Sequence, residues 1–551
     1  MHTVIKRILS LFSNKRRKQA LWISFSVLLR SLLDFVGVAA LVPVIFLIAR
    51  KLGSDQRIIL LLCVAVMVFV AVKNAIVYFL TRRQIKFQTE VYNEFSRRMY
   101  INYYRRGMTF LKSKSSVQLA YEVNGIAMIF SQNVMGSLLG MAGEIALILM
   151  MSIALVIWKP LMGGLIFLIF VPAAFAYSSS IRKKIRNIGN ESIKAQRAQS
   201  RNVTETFRGY AELEIAGAFN SSLAAFDRNM AKITRNRLAL DLYRLMPTFI
   251  SEIGFVAALM ALVAFGGSDP LFTGGVFAMA AFRIIPSLRG ALNHWAMFQN
   301  NAFSIEVVEN GLEVKDDARY EDNGKTVEFL KGLELKNLGF SFPDGKQLFN
   351  NLSFTILPGE RLGIKGKSGT GKSTLFNLIL GFLTPSEGQI ILDGEQLQGE
   401  NRRAWHKTVG YVPQEIFIVD GSLAQNVTLG IENIDREKVL KVLDQVKLKD
   451  WALALPEGID TNLGEYGNRI SGGQKQRIGI ARALYKGARV LFFDEATSSL
   501  DSVTENEINK ALEELSENHR ELTLIIISHR ESSLGFCDRI IDLDQYKCET
   551  E

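Results

Sequence analysis

The chain has 551 residues, a formal net charge of +11 and a mean hydropathy of +0.15. Its apolar residues are concentrated before about Phe298 and the remainder resembles a water-soluble α/β protein, so the composition predicts a membrane half joined to a soluble half. The three cysteines, Cys63, Cys537 and Cys548, lie far apart, which argues against a disulfide framework or a zinc site.

The first 20 residues, MHTVIKRILSLFSNKRRKQA, are amphipathic. Lys6 and Arg7 interrupt the apolar stretch and no small-residue cleavage site follows, so a secretory signal is not expected. We predict a helix that lies on the cytoplasmic leaflet, with the basic residues 15–18 near acidic headgroups. Its predicted apolar face comprises Ile5, Ile8, Leu9 and Phe12.

Six apolar segments follow, and most are long enough to cross a hydrocarbon core of ~30 Å as helices. They are residues 21–49, 58–80, 133–158, 161–177, 245–266 and 271–298. The sequence therefore predicts a six-helix α-helical transmembrane domain over residues 21–300.

Two long connections, residues 81–132 and 178–244, are rich in Lys and Arg and carry apolar residues at helical spacing. The positive-inside rule places these connections and the termini in the cytoplasm. Their patterning predicts membrane helices that continue beyond the bilayer. Because the excess positive charge faces anionic lipid and no interleaved aromatic and basic platform is present, we expect no nucleic-acid partner.

Charged residues inside the apolar segments require an explanation. A cationic side chain in mid-membrane costs on the order of 3 kcal/mol or more. Arg283 and Arg289, which flank Pro286 in FRIIPSLR, should therefore face a wet cavity or a partner and not lipid chains. Arg30 and Asp34 are spaced i, i+4 on the first helix, and we expect them to pair with each other.

Lys73, Arg283 and Arg289 have no such neighbour in sequence, and two hypotheses remain open for them. They could be structural, either paired with Glu144 or Glu252 on other helices or placed in a cytoplasmic helix extension. Alternatively, they could line a substrate cavity that binds an anionic group.

A charged linker over residues 301–330 precedes a soluble domain that we assign to residues 331–551. There, GKSGTGKST satisfies the phosphate-loop pattern between a predicted strand and a predicted helix. Backbone N–H groups of such a loop converge on phosphate oxygens, Lys372 supplies a charge to the β and γ phosphates, and the Ser373 hydroxyl can ligate Mg²⁺. The loop comprises Gly366, Lys367, Ser368, Gly369, Thr370, Gly371, Lys372, Ser373 and Thr374.

Two further motifs carry nucleotide chemistry. RVLFFDEATSSLD is an apolar strand that runs into Asp494, which it places beside the metal, and Glu495, which can polarise an attacking water. RISGGQKQRIGIARAL provides a Gly-rich helix N-terminus that could hold an anion.

Together, GKSGTGKST, ISGGQ, FFDEATSSLD and SHR resemble the ATPase domain of ABC transporters in the family's order, and the six-helix half resembles the membrane domain of ABC exporters. The resemblance implies a multidomain fold, with a six-helix transmembrane domain and an α/β P-loop nucleotide-binding domain. It also implies ATP hydrolysis coupled to transport, with ATP and Mg²⁺ as the ligands.

The same resemblance implies roles for single residues. Phe342 stands where an aromatic ring stacks on adenine, and Gln414 where a Q-loop residue senses Mg²⁺ and the γ-phosphate. The implied catalytic residues are Lys372, Glu495 as the general base and His529 as the switch histidine, and the implied metal ligands are Ser373, Gln414 and Asp494. Asp501 resembles the D-loop aspartate, and Glu465 a residue that contacts the intracellular loops.

In the family, the ISGGQ segment completes the nucleotide site of the opposite subunit. Here it comprises Ser471, Gly472, Gly473 and Gln474, preceded by Ile470 where the family usually has Leu. One chain carries one such set, so the resemblance implies a second copy of the chain as partner, most simply in a homodimer.

FRIIPSLR, the first apolar segment and the Lys73 region are similar to parts of bacterial lipid-linked oligosaccharide flippases. This similarity implies an anionic lipid-linked substrate, alternating access and a multi-pass protein of the bacterial cytoplasmic membrane, with coupling helices near residues 114–124 and 212–219. An exporter of peptides or amphiphilic drugs is the alternative. A non-transporting ABC ATPase is disfavoured because the chain has six apolar segments and intact motifs.

Overall fold

The computed structural model describes residues 2–42, 56–265, 270–313, 327–342, 347–495 and 502–546. The chain divides into two compact units. The first, here called the helical unit, comprises Met1–Tyr104 and Phe110–Lys315. The second, here called the α/β unit, comprises Arg105–Thr109 and Asp316–Glu551.

Long helices dominate the helical unit. In chain order the helices up to residue 312 are α1 His2–Ser10, α2 Asn14–Ala39, α3 Gln56–Arg105, α4 Gly107–Ser113, α5 Ser116–Ala120, α6 Ala127–Ile129, α7 Gly136–Trp158, α8 Pro160–Arg208, α9 Tyr210–Ile215, α10 Phe219–Phe265, α11 Pro270–Asn301 and α12 Phe303–Leu312. The π-helical turns Tyr121–Ile126 and Phe130–Met135 flank α6.

Within the described residues, four helical stretches are long and apolar enough to cross a membrane. They are Asn14–Ala39, Leu60–Arg105, Ser116–Trp158 and Phe219–Met260. Each overlaps one of the predicted segments, and the segments 161–177 and 271–298 also fall inside helices, α8 and α11. A helical membrane domain is therefore confirmed, whereas the number of six spans stays a prediction.

Three of the helices are much longer than a bilayer requires. α3, α8 and α10 have 50, 49 and 47 residues. At the rise of an α-helix each is about 70 Å long, against a hydrocarbon core of about 30 Å. This length agrees with the extensions that the patterning of the long basic connections predicts.

The N-terminal helix lies differently from the prediction. Ile8 and Phe12 are each only 4% exposed, in one apolar cluster with Phe87 and Phe95 of α3. The ring centroid of Phe12 lies 6.4 Å from that of Phe87 and 5.5 Å from that of Phe95. This part of the apolar face therefore packs on protein, so the predicted leaflet contact is wrong for Ile8 and Phe12.

The basic residues near the N-terminus are also engaged by protein. Arg16 forms ion pairs of 2.6 and 2.8 Å with Glu90 and Glu94 of α3, and Arg7 pairs with Glu309 of α12. Acidic side chains thus replace lipid headgroups as the partners of Arg16, against the prediction. Ser13 caps α2, which begins seven residues before the predicted apolar segment.

The α/β unit contains two sheets among its described residues. The strands are β1 Leu333–Ser341, β2 Gln347–Ile356, β3 Arg361–Lys365, β4 Glu387–Leu392, β5 Glu395–Gln396, β6 Val409–Val412, β7 Val490–Asp494, β8 Thr523–Ile527 and β9 Arg539–Asp542. The helices are α13 Lys372–Ile379, α14 Gly399–Thr408, α15 Leu423–Thr428, α16 Arg436–Gln445, α17 Lys449–Leu453, α18 Gly472–Lys486, α19 Ser502–Asn518 and α20 Glu531–Leu534.

The parallel sheet positions the candidate site. Its described strands follow the order β6-β7-β8-β3-β9, and the antiparallel sheet has the order β2-β1-β4-β5. Every residue of β7 and β8 is buried, which explains why VLFFD and TLIII are continuous apolar runs. Since parallel strands end at one edge of a sheet, the residues that follow β3, β6, β7 and β8 lie near one another.

Candidate functional site

The phosphate loop connects β3 to α13, as its sequence predicts. Gly371 precedes the helix with φ of 93°, a left-handed conformation that glycine adopts without strain. A Cβ at this position would lie 2.5 Å from the side chains of Leu348 and Phe349. The close approach of β2 and the backbone conformation therefore both require glycine here.

Lys372 is 5% exposed at the start of α13. Its Nζ donates to the carbonyl oxygens of Gly366 and Lys367 at 2.9 and 3.1 Å and lies 3.7 Å from Glu495 Oε1. Burial lowers the pKa of Lys372, and the nearby carboxylates only partly offset this effect. The ammonium group is thus held inside the loop by acceptors on several sides.

Ser373 and Asp494, two of the predicted metal ligands, are in direct contact. Ser373 Oγ donates to Asp494 Oδ1 at 3.0 Å, and the hydroxyl of Tyr411 donates to Asp494 Oδ2 at 3.3 Å. Burial raises the pKa of Asp494, while the hydrogen bonds from Ser373 and Tyr411 oppose the rise. The third predicted ligand, Gln414, follows β6, which pairs with β7, so it lies at the same sheet edge.

Glu495 and His529 meet at the ends of β7 and β8. His529 Nε2 lies 2.8 Å from Glu495 Oε1 and 2.8 Å from Lys372 Nζ. Glu495 has φ of 49°, an uncommon conformation for a residue with a side chain, and its N–H donates to the carbonyl of Ile527 at 3.0 Å. This turn directs the carboxylate towards Lys372 and His529, so the structure brings the three predicted catalytic residues together.

Phe342 and the ISGGQ segment lie on the surface of the α/β unit. Phe342 follows β1, is 37% exposed and makes an edge contact with Phe340 at 5.2 Å. Ser471 caps α18 by accepting from the N–H of Gln474 at 3.2 Å, and the Gln474 side chain accepts from the N–H of Ser471 at 2.8 Å. Stacking on adenine and contact with a second subunit stay predictions for these residues, and Asp501 lies outside the described residues.

The charged residues of the helical unit form a different arrangement from the predicted one. Asp34 of α2 accepts from Lys73 of α3 at 2.8 Å and from Arg283 of α11 at 2.7 Å. In the described part of the chain both carboxylate oxygens are thus paired between helices, and no ion pair joins Asp34 to Arg30. The expected pair within α2 is wrong because cations from two other helices reach the carboxylate.

A glycine on α2 leaves room for the Lys73 side chain beside Asp34. A Cβ at Gly37, one turn beyond Asp34, would lie 3.2 Å from Lys73 Cδ. Lys73 and Arg283 are interhelical ion-pair partners, as the structural hypothesis proposes, but with Asp34 and not with Glu144 or Glu252. Arg289 lies six residues further along α11, where its buried Nε has no hydrogen-bond partner among the described residues.

Comparison with known proteins agrees with this geometry. Residues 349–498 match the ABC transporter family. A solved bacterial Atm1-family ABC exporter superposes with a TM-score of 0.79 over 97% of this chain and 94% of the other, at 20% identity, which shows the shared fold.

The α/β unit therefore carries an ABC transporter domain.

Curated relatives of this chain include two ATP-dependent lipid A-core flippases. The protein from Cupriavidus metallidurans is 32% identical over 381 residues, which are 68% of this chain and 59% of that protein. The protein from Burkholderia pseudomallei is 31% identical over 390 residues, which are 69% of this chain and 64% of that protein. The matched part thus spans about three fifths of the length of these flippases.

The ligands of this ABC transporter domain are ATP and Mg²⁺. The residues present fit both. A buried lysine and the N–H groups at the start of α13 suit phosphate oxygens. The hydroxyl of Ser373 and the carboxylate of Asp494 are hard oxygen donors in mutual contact, which suit Mg²⁺.

Two residues near the site were not predicted from the sequence. Tyr411 donates to Asp494. Glu505 of α19 accepts from Arg530, which precedes α20, and from Ser532 and Ser533 of α20 at 3.2 and 2.8 Å, just after His529. Burial would raise the pKa of Glu505, but the hydrogen bonds from Ser533, Arg530 and Ser532 outweigh burial and lower it. The sequence offered one signal, an acidic residue soon after the DEATSSLD motif.

Proposed function

We propose that this chain is one half of an ATP-driven exporter that moves an amphiphilic, anionic lipid-linked molecule across the cytoplasmic membrane of a bacterium. The supporting observation is the cluster of Lys372, Glu495 and His529 in a chain that also carries helices able to cross a membrane. The α/β unit then lies in the cytosol, because the basic connections and both termini obey the positive-inside rule.

Each residue of the cluster has a distinct proposed role. Lys372 and the loop N–H groups bind the β and γ phosphates, and Ser373, Gln414 and Asp494 hold the Mg²⁺, which offsets phosphate charge when bound. Glu495 Oε1 takes the proton of the attacking water as general base. His529, within 2.8 Å of Glu495, orients that carboxylate and contacts the γ-phosphate.

The proposed assembly is a homodimer. Ser471 and Gln474 are hydrogen-bonded to each other at the start of α18, and Ser471 is exposed with Gly472. This exposed helix N-terminus suits the γ-phosphate held by a second copy of the chain. Two chains would therefore form two complete nucleotide sites from identical parts.

The proposed cargo is a lipid-linked oligosaccharide pyrophosphate. Lys73 and Arg283 share a single carboxylate, that of Asp34. This group of three side chains therefore has one uncompensated positive charge. Such a charge favours an anionic headgroup over a cationic drug. The curated relatives are named lipid A-core flippases, and these names support a lipid cargo.

ATPase measurements on the purified full chain in lipid nanodiscs test the proposal. We expect lipid-linked pyrophosphate oligosaccharides to stimulate hydrolysis in the wild type and to lose this effect when Arg283→Ala and Arg289→Ala are combined. Unchanged stimulation in the double variant would make both arginines structural. Hydrolysis without any stimulation would favour export of a peptide or an amphiphilic drug, and absence of hydrolysis would reject the proposal altogether.

A further inference from the structure

The register of two strands directs Tyr411 towards the nucleotide site. β6 and β7 are parallel, and Tyr411 of β6 is paired with Phe492 of β7. Because side chains alternate along a strand, Phe492 and Asp494 project from one face of the sheet, and the paired Tyr411 projects from the same face. Phe492 makes an edge contact with Phe376 of α13 at 5.1 Å between ring centroids. Tyr411 therefore lies on the face that α13 covers, where Ser373 meets Asp494.

The carboxylate of Asp494 has one donor on each oxygen among the described contacts. Asp494 is 7% exposed. Its Oδ1 accepts from Ser373 Oγ at 3.0 Å, and its Oδ2 accepts from the hydroxyl of Tyr411 at 3.3 Å. A buried carboxylate requires such donors, and here they come from two elements, α13 and β6. The plane of the carboxylate is thus fixed from both sides, although the longer bond, from Tyr411, is the weaker of the two.

The same hydroxyl links two of the predicted metal ligands. Tyr411 lies on β6, and Gln414 follows three residues later at the end of that strand. The bond from Tyr411 to Asp494 therefore ties the strand that leads to Gln414 to the strand that carries Asp494. Mg²⁺ requires ligands in a nearly ideal octahedral arrangement, so its affinity is sensitive to their orientation. Side chains that hydrogen-bond to a metal ligand control that orientation.

We propose that Tyr411 is a positioning residue for Mg²⁺ at the nucleotide site. Its hydroxyl holds the carboxylate of Asp494 in the orientation from which it binds the ion, and so strengthens the metal-dependent part of ATP binding. The inference rests on the proposed role of Asp494 as a metal ligand. It adds a residue that acts through that carboxylate.

Metal-dependent nucleotide binding tests the inference without hydrolysis. The probe is adenylyl imidodiphosphate, an ATP analogue whose β–γ bridge resists hydrolysis, and its Kd for the full chain in lipid nanodiscs is measured in EDTA and in saturating MgCl₂. The ratio of the two Kd values is the contribution of the metal to affinity. Tyr411→Phe keeps the ring and removes only the hydroxyl, so we expect this ratio to fall about tenfold while the Kd in EDTA stays unchanged.

Tyr485→Phe is the matched control. Tyr485 lies on α18, and its hydroxyl accepts from the backbone N–H of Asp435 at 3.2 Å, so this variant also loses one hydroxyl hydrogen bond in the α/β unit. It should leave the ratio at the wild-type value. An unchanged ratio in Tyr411→Phe would overturn the inference. An equal loss of affinity in EDTA and in MgCl₂ would also overturn it, because Tyr411 would then support the fold of the site and not the metal.

A double variant shows whether Tyr411 acts through Asp494. Asp494→Asn removes the charge of the proposed ligand and should lower the ratio by itself. Adding Tyr411→Phe should lower it no further, because two residues that act through one contact are not additive. A further tenfold fall in the double variant would show that the hydroxyl acts by another route and would overturn the inference.

Steady-state hydrolysis separates positioning from a structural role. In Tyr411→Phe the Mg²⁺ concentration for half-maximal hydrolysis should rise about tenfold, whereas kcat at saturating Mg²⁺ should stay near the wild-type value. A fall in kcat at every Mg²⁺ concentration, with the half-maximal concentration unchanged, would contradict the positioning role.

The proposed function fails in different measurements. If Asp494→Asn leaves the ratio of Kd values unchanged, the proposed metal role of Asp494 is wrong, and the inference falls with it. If Tyr411→Phe lowers the ratio but no lipid-linked pyrophosphate stimulates hydrolysis, the positioning role of Tyr411 stands without the proposed cargo.

Discussion

The nucleotide site and the membrane charge cluster, which is Asp34 with Lys73 and Arg283, both pair cationic side chains with carboxylates. The two clusters are assembled in different ways. Lys372 and Ser373 are neighbours in sequence, and Glu495 follows a strand whose pairing with β8 fixes its distance from His529. In the membrane cluster, Asp34 meets Lys73 39 residues away and Arg283 249 residues away, each on another helix. Backbone pairing fixes the first cluster, whereas only side-chain packing between helices fixes the second.

The largest expected effect concerns the nucleotide site, where strand pairing fixes the position of Glu495. Glu495→Gln keeps the size of the side chain but removes the proposed general base. We expect kcat for ATP hydrolysis to fall about 100- to 10 000-fold while ATP still binds. Steady-state kinetics and equilibrium ATP binding on the full chain check this. Retention of more than a tenth of the wild-type kcat would show that another group acts as the base.

A second prediction tests the membrane charge cluster, whose side chains are brought together by packing between helices. Asp34→Asn leaves Lys73 and Arg283 without their carboxylate, and breaking these partly buried ion pairs should lower the free energy of unfolding by about 1–3 kcal/mol. The double variant of Asp34→Asn with Arg283→Gln removes one of the two unpaired cations, so it should lose less stability than Asp34→Asn alone.

Thermal unfolding in detergent compares the two variants. Glu252→Gln is the control, because Glu252 is exposed on α10 and belongs to no ion pair among the described residues, and it should unfold like the wild type. Additive losses in the double variant would mean that Asp34 and Arg283 do not act as a pair.

The smallest expected effect concerns Glu505, which accepts hydrogen bonds from residues next to the nucleotide site. Glu505 holds Arg530, Ser532 and Ser533 just after His529. Glu505→Gln weakens these contacts, so kcat should fall on the order of tenfold through a misplaced His529, with little change in KM for ATP. Glu507→Gln is the matched control on the same helix, since Glu507 pairs only with Arg477 at the surface in the described contacts.

A purely structural role for Glu505 would give a different result. It would lower the thermal midpoint and leave kcat per folded molecule unchanged. A rise in KM equal to the fall in kcat would also contradict the positioning role. Partial recovery of kcat in Glu505→Asp would support it, because the charge is restored on a shorter side chain.

The sequence by itself predicted most of the nucleotide site. GKSGTGKST specifies a strand, a glycine turn and a helix, and FFDE specifies a buried strand that ends in two acids, because strand burial and glycine conformation are properties of short stretches. It also predicted the family and the helical character of the membrane half, because motifs and apolar segments are likewise read from short stretches of sequence. It did not predict Tyr411 or Glu505, whose partners belong to other elements.

Only the tertiary structure decided the partners of the charged and apolar faces. The sequence favoured Arg30 as the partner of Asp34 and lipid as the contact of Ile8 and Phe12. In the structure Lys73 and Arg283 pair with Asp34 instead. The two apolar side chains pack against α3. Helical spacing shows which residues share a face, but it carries no information about which other helix that face meets. Long-range packing sets those contacts, and the sequence pattern of one helix does not encode them.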